Sequence, residues 1–118
     1  MLTRPLLILA LVSATPAFAD PPVINHVKAK KNGSSWTFDV TLSHGDTGWD
    51  DYADGWRILD ANGGVLGLRR LAHPHVNEQP FTRSLSGVAI PDGVTSVGIQ
   101  ASDSKGGWSS GVTQYRLP

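Results

Sequence analysis

The sequence contains no cysteine. That excludes disulfides, thiolate metal sites, a nucleophilic thiol and the lipid-bearing cysteine of a bacterial lipoprotein. A secreted domain without disulfides has to be held by its own core. The one methionine is Met1, so a Cu⁺ site built from soft sulfur ligands is excluded as well. No apolar run reaches the ~20 residues that a membrane-spanning helix needs, so no membrane insertion is expected. Neither sign of charge predominates, with ten Lys and Arg against ten Asp and Glu. A nucleic-acid binder would show a basic patch or stripe, so nucleic acid is not expected as a partner. Internal repeats, low-complexity tracts and helix-length amphipathic segments are missing too.

What is present begins with a leader. Arg4 and the α-amino group precede the short apolar run Leu6 to Val12, and Ala17-Phe18-Ala19 is a small-x-small cleavage site. Residues 1–19 read as a secretory signal peptide cut before Asp20. The destination is then the periplasm or the extracellular space. Taking nineteen residues from 118 leaves 99, which suits one domain, 20–118, with a modest core. Arg4 leaves with the leader, so nine basic residues face ten acidic ones.

Glycines and prolines cut these 99 residues into runs of four to ten, which favours strands. The clearest is Trp36 to Ser43. Trp36, Phe38, Val40 and Leu42 face one way and Thr37, Asp39, Thr41 and Ser43 the other, as in a half-buried antiparallel strand. His44 continues the inward register. Val23 to Lys30 precedes it across an Asn32-Gly33 turn. Gly55 to Asp60, Val65 to Ala72, Phe81 to Ile90, Ser96 to Ser102 and Val112 to Leu117 complete the set. Two of these do not alternate cleanly, and bulges are expected near Arg69-Arg70 and Ser86-Gly87. Seven short strands at this spacing predict an all-β, seven-stranded antiparallel two-sheet sandwich.

With its strand count, Trp56 in the third strand, and Leu85-x-x-Val88-x-Ile90-Pro91-x-Gly93 leading into Val97-x-Ile99-x-Ala101-x-Asp103, the chain resembles immunoglobulin-like and fibronectin type III-like domains over residues 22–117. It departs from them in lacking a cysteine pair and a tyrosine corner, where Val97 stands instead. The segment His73 to Arg83 also looks like that of a family of small secreted bacterial proteins with an HPH-x-x-EQPFTR motif, a likeness that implies no activity.

Up-and-down connectivity would bring three loops to one pole: Gly45 to Asp54, His73 to Pro80 and Asp103 to Gly111. Binding loops of sandwiches cluster in this way on a rigid scaffold. His73-Pro74-His75 is the sharpest local signal. Proline holds His73 extended, and positions i and i+2 of extended backbone share a face. His73 and His75, helped by His44 or Glu78, could supply the ligands of Zn²⁺ or Cu²⁺. The competing reading is that both histidines bond backbone at the end of an edge strand. In the acidic loop, Asp46, Asp50, Asp51 and Asp54 could hold Ca²⁺, or the aspartates could serve turns. Trp36 and Trp56 read as core. Trp49, Tyr52 and Trp108, with Asp50, Asp51 and Asp103, could contact a ligand, or the tryptophans could fold back and pin their own loops. Arg83 is placed to pair with Glu78.

No spacing resembles a nucleophile elbow or a known triad, and a domain this small has little room for a deep catalytic pocket. The expectation is therefore a non-enzymatic binding domain with a transition-metal site at the loop pole. The alternative is a metal-free module that recognises a protein or glycan through the same pole.

Overall fold

A computed structural model describes residues 20–118. The expected leader lies outside the described residues. Eight strands follow in order: β1 (Val23–Asn32), β2 (Ser35–Ser43), β3 (Ala53–Leu59), β4 (Val65–Arg70), β5 (Phe81–Val88), β6 (Ser96–Asp103), β7 (Gly107–Trp108) and β8 (Thr113–Arg116). All pairings are antiparallel. One sheet has the order β1-β2-β5 and the other β4-β3-β6-β7, with β8 also paired to β6. The fold is the expected all-β, two-sheet antiparallel sandwich. Its eighth element, the two-residue β7, was not read from the sequence, because Gly106-Gly107 reads only as a loop.

The alternation in β2 is realised as predicted. Phe38, Val40 and Leu42 are fully buried and Trp36 is nearly so, while Thr37, Asp39, Thr41 and Ser43 are half-exposed. Phe81 and Val88 of β5 join them on the first sheet, and Trp56 and Ile58 of β3 and Val97, Ile99 and Ala101 of β6 face them from the second. Burying side chains of this size contributes about 1.5–3 kcal/mol each before entropy is counted, so the two inner faces carry the fold. Tyr115 of β8 links the layers. Its ring packs edge-on against Phe38, 6.3 Å between centroids, and its hydroxyl accepts the Ala29 N–H at 3.2 Å.

The expected bulge at Ser86-Gly87 is present: between Trp36↔Val88 and Phe38↔Leu85, β5 advances one residue more than β2. The other lies elsewhere. Arg69 and Arg70 pair regularly with Trp56 and Gly55, and the extra residue is Leu66, between Ile58↔Gly67 and Leu59↔Val65. The bulge turns Gly67 inward beneath Leu85, where a Cβ would meet the leucine at 2.9 Å.

Candidate functional site: the loop pole

The three loops expected at one end do meet there, through specific bonds. Ser104 N–H donates to Tyr52 O at 2.9 Å, and Tyr52 N–H donates to Ser104 Oγ at 3.0 Å. These join the 45–54 loop to the 103–111 loop. His75 N–H donates to Asp46 Oδ2 at 2.8 Å, joining the 73–80 loop. Gln79 ties that loop to the end of β2, accepting His44 N–H at 3.0 Å and donating to His75 O at 2.9 Å.

Asp46 is the hub. Its side chain is fully buried, and it takes three donors: His44 Nδ1–H at 2.6 Å, Ala53 N–H at 2.9 Å and His75 N–H. A buried carboxylate is tolerable only when its oxygens are bonded in this way. His44 enters the site because the β2 alternation drives it inward. Its Nε2 lies 3.6 Å from Asp51 Oδ1 and 3.7 Å from Asp103 Oδ2, beyond hydrogen-bond reach.

His73 and His75 do share a side, with ring centroids 4.6 Å apart, but not as a pair of ligands. His75 lies stacked on Phe81, 3.9 Å between centroids and 12° between planes. Its Nε2 is 2.8 Å from Arg83 Nη2. A guanidinium can only donate, so this nitrogen is the acceptor and the ring proton sits on Nδ1, which is buried without a partner. Burial foremost, then the charges of Arg83 and His73, hold the His75 pKa below the ordinary imidazole value. Arg83 also reaches Glu78 at 3.7 Å, the pairing expected from sequence. His73 Nδ1 lies 3.1 Å from the Pro74 carbonyl.

The metal set His73, His75, Glu78 and His44 is thus not brought together. Arg83 occupies His75 Nε2 and sits beside Glu78, while His44 is committed to Asp46. Among the described residues no group of three or more His, Asp or Glu is disposed to hold a metal ion. The sequence indicated Arg83 beside Glu78, but not that the same guanidinium also takes His75 Nε2. No ring nitrogen of His44, His73 or His75 is bonded to a hydroxyl.

The acidic loop is largely spent on the protein. Asp46 is the hub, and Asp54 Oδ1 accepts the Ser102 hydroxyl. Asp103 is buried; its Oδ1 accepts the N–H groups of Lys105 and Gly106 and closes the turn before β7. Asp50 is exposed, and Asp51 is partly buried beside His44.

Trp49 and Trp108 are 67% and 38% exposed. Trp49 touches Tyr52 edge-on, 5.5 Å between centroids. Trp108, on β7, lines two adjoining clefts. One, of about 180 Å³, is bounded by Asp54, Gly55, Leu68, Arg70, Ser102 and Gly107. The other, of about 250 Å³, is bounded by Pro21, Asp103, Gly106, Gly107, Ser109 and Ser110. The Arg57 guanidinium lies over the Trp108 ring, 3.9 Å from its centroid. Sequence reasoning missed both Arg57 and the Asp46 hub. Arg57 is an outward residue of β3 with no local signal, whereas His44-Gly45-Asp46 is close enough in sequence to have suggested a bonded pair.

No family model matches the chain, and no solved structure matches it. A relative from Halomicrobium mukohataei, described as a "Putative lipoprotein", is 37% identical over 86 residues. The match takes in 73% of this chain and 42% of the relative, so the chain spans less than half the length of the protein it resembles.

Proposed function

We propose that this protein is a small, non-enzymatic recognition module of the cell envelope or its exterior, and that it binds its partner through the loop pole without a metal. The observation that carries the reading is the standing of Trp49 and Trp108 exposed at that pole, on loops fixed to one another by hydrogen bonds. Aromatic side chains on a rigid frame are the usual energetic anchors of recognition. Of the histidines that would make the pole a metal centre, His44 and His75 are engaged in holding its shape. The description of the relative as a lipoprotein supports an envelope or secreted location for this chain, as does its leader-like N-terminus. The grouping of β1, β2 and β5 against β3, β6 and β8 supports the immunoglobulin-like reading of the sandwich, in which the first, second and fifth strands share one sheet and the third, sixth and last share the other.

The test is co-sedimentation with the insoluble envelope fraction of the producing organism. The protein is expected in the pellet with or without EDTA. Trp49→Ala/Trp108→Ala is expected in the supernatant, and Asp92→Lys, in the tight turn at the opposite end, in the pellet. Equal retention of the two variants, or release by EDTA, would contradict the reading.

A further inference from the structure

We infer that the pole binds a neutral glycan laid across the Trp108 indole. This rests on the reading of the pole as a recognition surface and names its ligand class. Trp108 is held as a platform before any ligand arrives. The Arg57 guanidinium stacks on its ring, and Arg57 Nε–H donates to Gln100 Oε1 at 2.8 Å. Gln100 Nε2–H donates in turn to Ser109 O at 2.7 Å, and Ser109 N–H to Ala101 O at 2.9 Å. The chain therefore returns to β6 beside the tryptophan. A fixed ring gives up little rotamer freedom on binding, which lowers the cost of association. The ring packs over β3 at Gly55, where even a Cβ would make only an ordinary contact, 3.8 Å from Trp108 Cη2.

The clefts on either side set the chemistry. At about 180 and 250 Å³, each falls short of the ~300–1,000 Å³ of a site that engulfs one drug-sized body. Two small open clefts meeting at one indole suit consecutive small rings of a chain. Their walls mix polar and apolar groups: Asp54, Arg70 and Ser102 beside Leu68 on one side, Asp103, Ser109 and Ser110 beside Pro21 on the other. A pyranose presents an apolar C–H face and a rim of hydroxyls. The part of the indole left exposed beside Arg57 takes the first, and carboxylate, guanidinium and hydroxyl groups take the second. Asp54 gives one oxygen to Ser102 and keeps the other for a ligand hydroxyl. The carboxylates of Asp54 and Asp103 are matched by the guanidinium groups of Arg70 and Arg57, so the surface around the indole carries no net charge and favours an uncharged glycan. A peptide anchored by a buried side chain would require a deeper apolar pocket than either cleft provides.

The experiment is retention of the protein on cellulose, chitin and mannan. Calorimetric titration with the matching hexasaccharide follows for each polymer that retains it. At least one pair is expected to bind. Trp108→Ala should weaken binding at least about tenfold, the equivalent of ~1.4 kcal/mol. Trp108→Phe should recover part of the loss, and Asp92→Lys, in the tight turn at the opposite end, should leave glycan binding unchanged. Thermal midpoints of the variants check that the fold is intact. No retention on any of the three polymers, or equal binding by Trp108→Ala, would overturn the inference. Periodate-oxidised envelope separates the two levels of the argument. Retention that survives loss of the sugars but not protease treatment leaves a recognition surface whose partner is a protein, while no retention on untreated envelope removes the recognition reading itself.

Discussion

Asp46 and His75 show how much of this pole depends on single side chains. Removing the Asp46 carboxylate strands three donors in a water-free site: the His44 ring, Ala53 N–H and His75 N–H. Asp46→Ala should lower the unfolding free energy by about 3–5 kcal/mol, the usual cost of breaking a buried charged network, and Asp46→Asn by less. Urea denaturation followed by tryptophan fluorescence measures both. His75 makes stability depend on pH in a definite direction. Its folded pKa lies below the ordinary imidazole value of 6.5, so below that pH the unfolded chain binds protons that the folded chain does not. Its contribution is intact above pH 6.5 and declines as pH falls from there toward the folded pKa. The imidazolium would also lose the lone pair that accepts from Arg83. The urea midpoint should drop between about pH 7 and pH 5, above the main carboxylate range. The drop should be smaller in His75→Phe, and an identical drop in that variant would assign it to other groups.

At the level of the strand, the β5 bulge places Gly87 at φ 72°, with nothing within 4 Å of where a Cβ would stand. Substitution there strains the backbone without crowding a neighbour. Gly87→Ala should cost about 1–2 kcal/mol, the left-handed penalty for an L-residue, and Gly87→Asn less; thermal unfolding of both variants checks the order. This bulge was legible because Leu85-Ser86-Gly87-Val88 breaks alternation at a glycine. The seven main strands were legible for the same kind of reason, since period-two burial in β2, β3 and β6 is written directly in Trp36 to Leu42, Trp56 to Ile58 and Val97 to Ala101. The β4 bulge was not, because what sets it is the approach of Leu85 from the other sheet, a contact between elements far apart in sequence. The candidate site divides similarly. Topology gave the meeting of the loops and the membership of His44, His75 and Trp108. Which atoms would be left for a ligand was decided by Arg83 and Arg57, whose positions depend on strand register.

Taken whole, the domain has its core between two sheets and its polar network at one end, and among the described residues no group of three or more His, Asp or Glu is disposed to hold an ion. Zn²⁺, Cu²⁺ or EDTA should therefore leave the thermal midpoint of the protein unchanged. A rise of several degrees with one of the metals would reveal a site that binds the native state. The balance of nine basic against ten acidic residues after the expected cleavage gives the molecule little net repulsion to keep copies apart. Against that background the outer strand of the first sheet acquires a meaning beyond its role in the fold. Among the described residues β1 pairs as a strand only with β2, and apart from the Tyr115 hydroxyl on Ala29 N–H its other side is an open edge, a ready template for a second chain. Lys28, Lys30 and Lys31 stand exposed along it. Two copies approaching edge to edge would have to bring six ammonium groups together and strip their water. Those three lysines therefore oppose edge-to-edge association, which keeps the sheet finite and the pole at its end available.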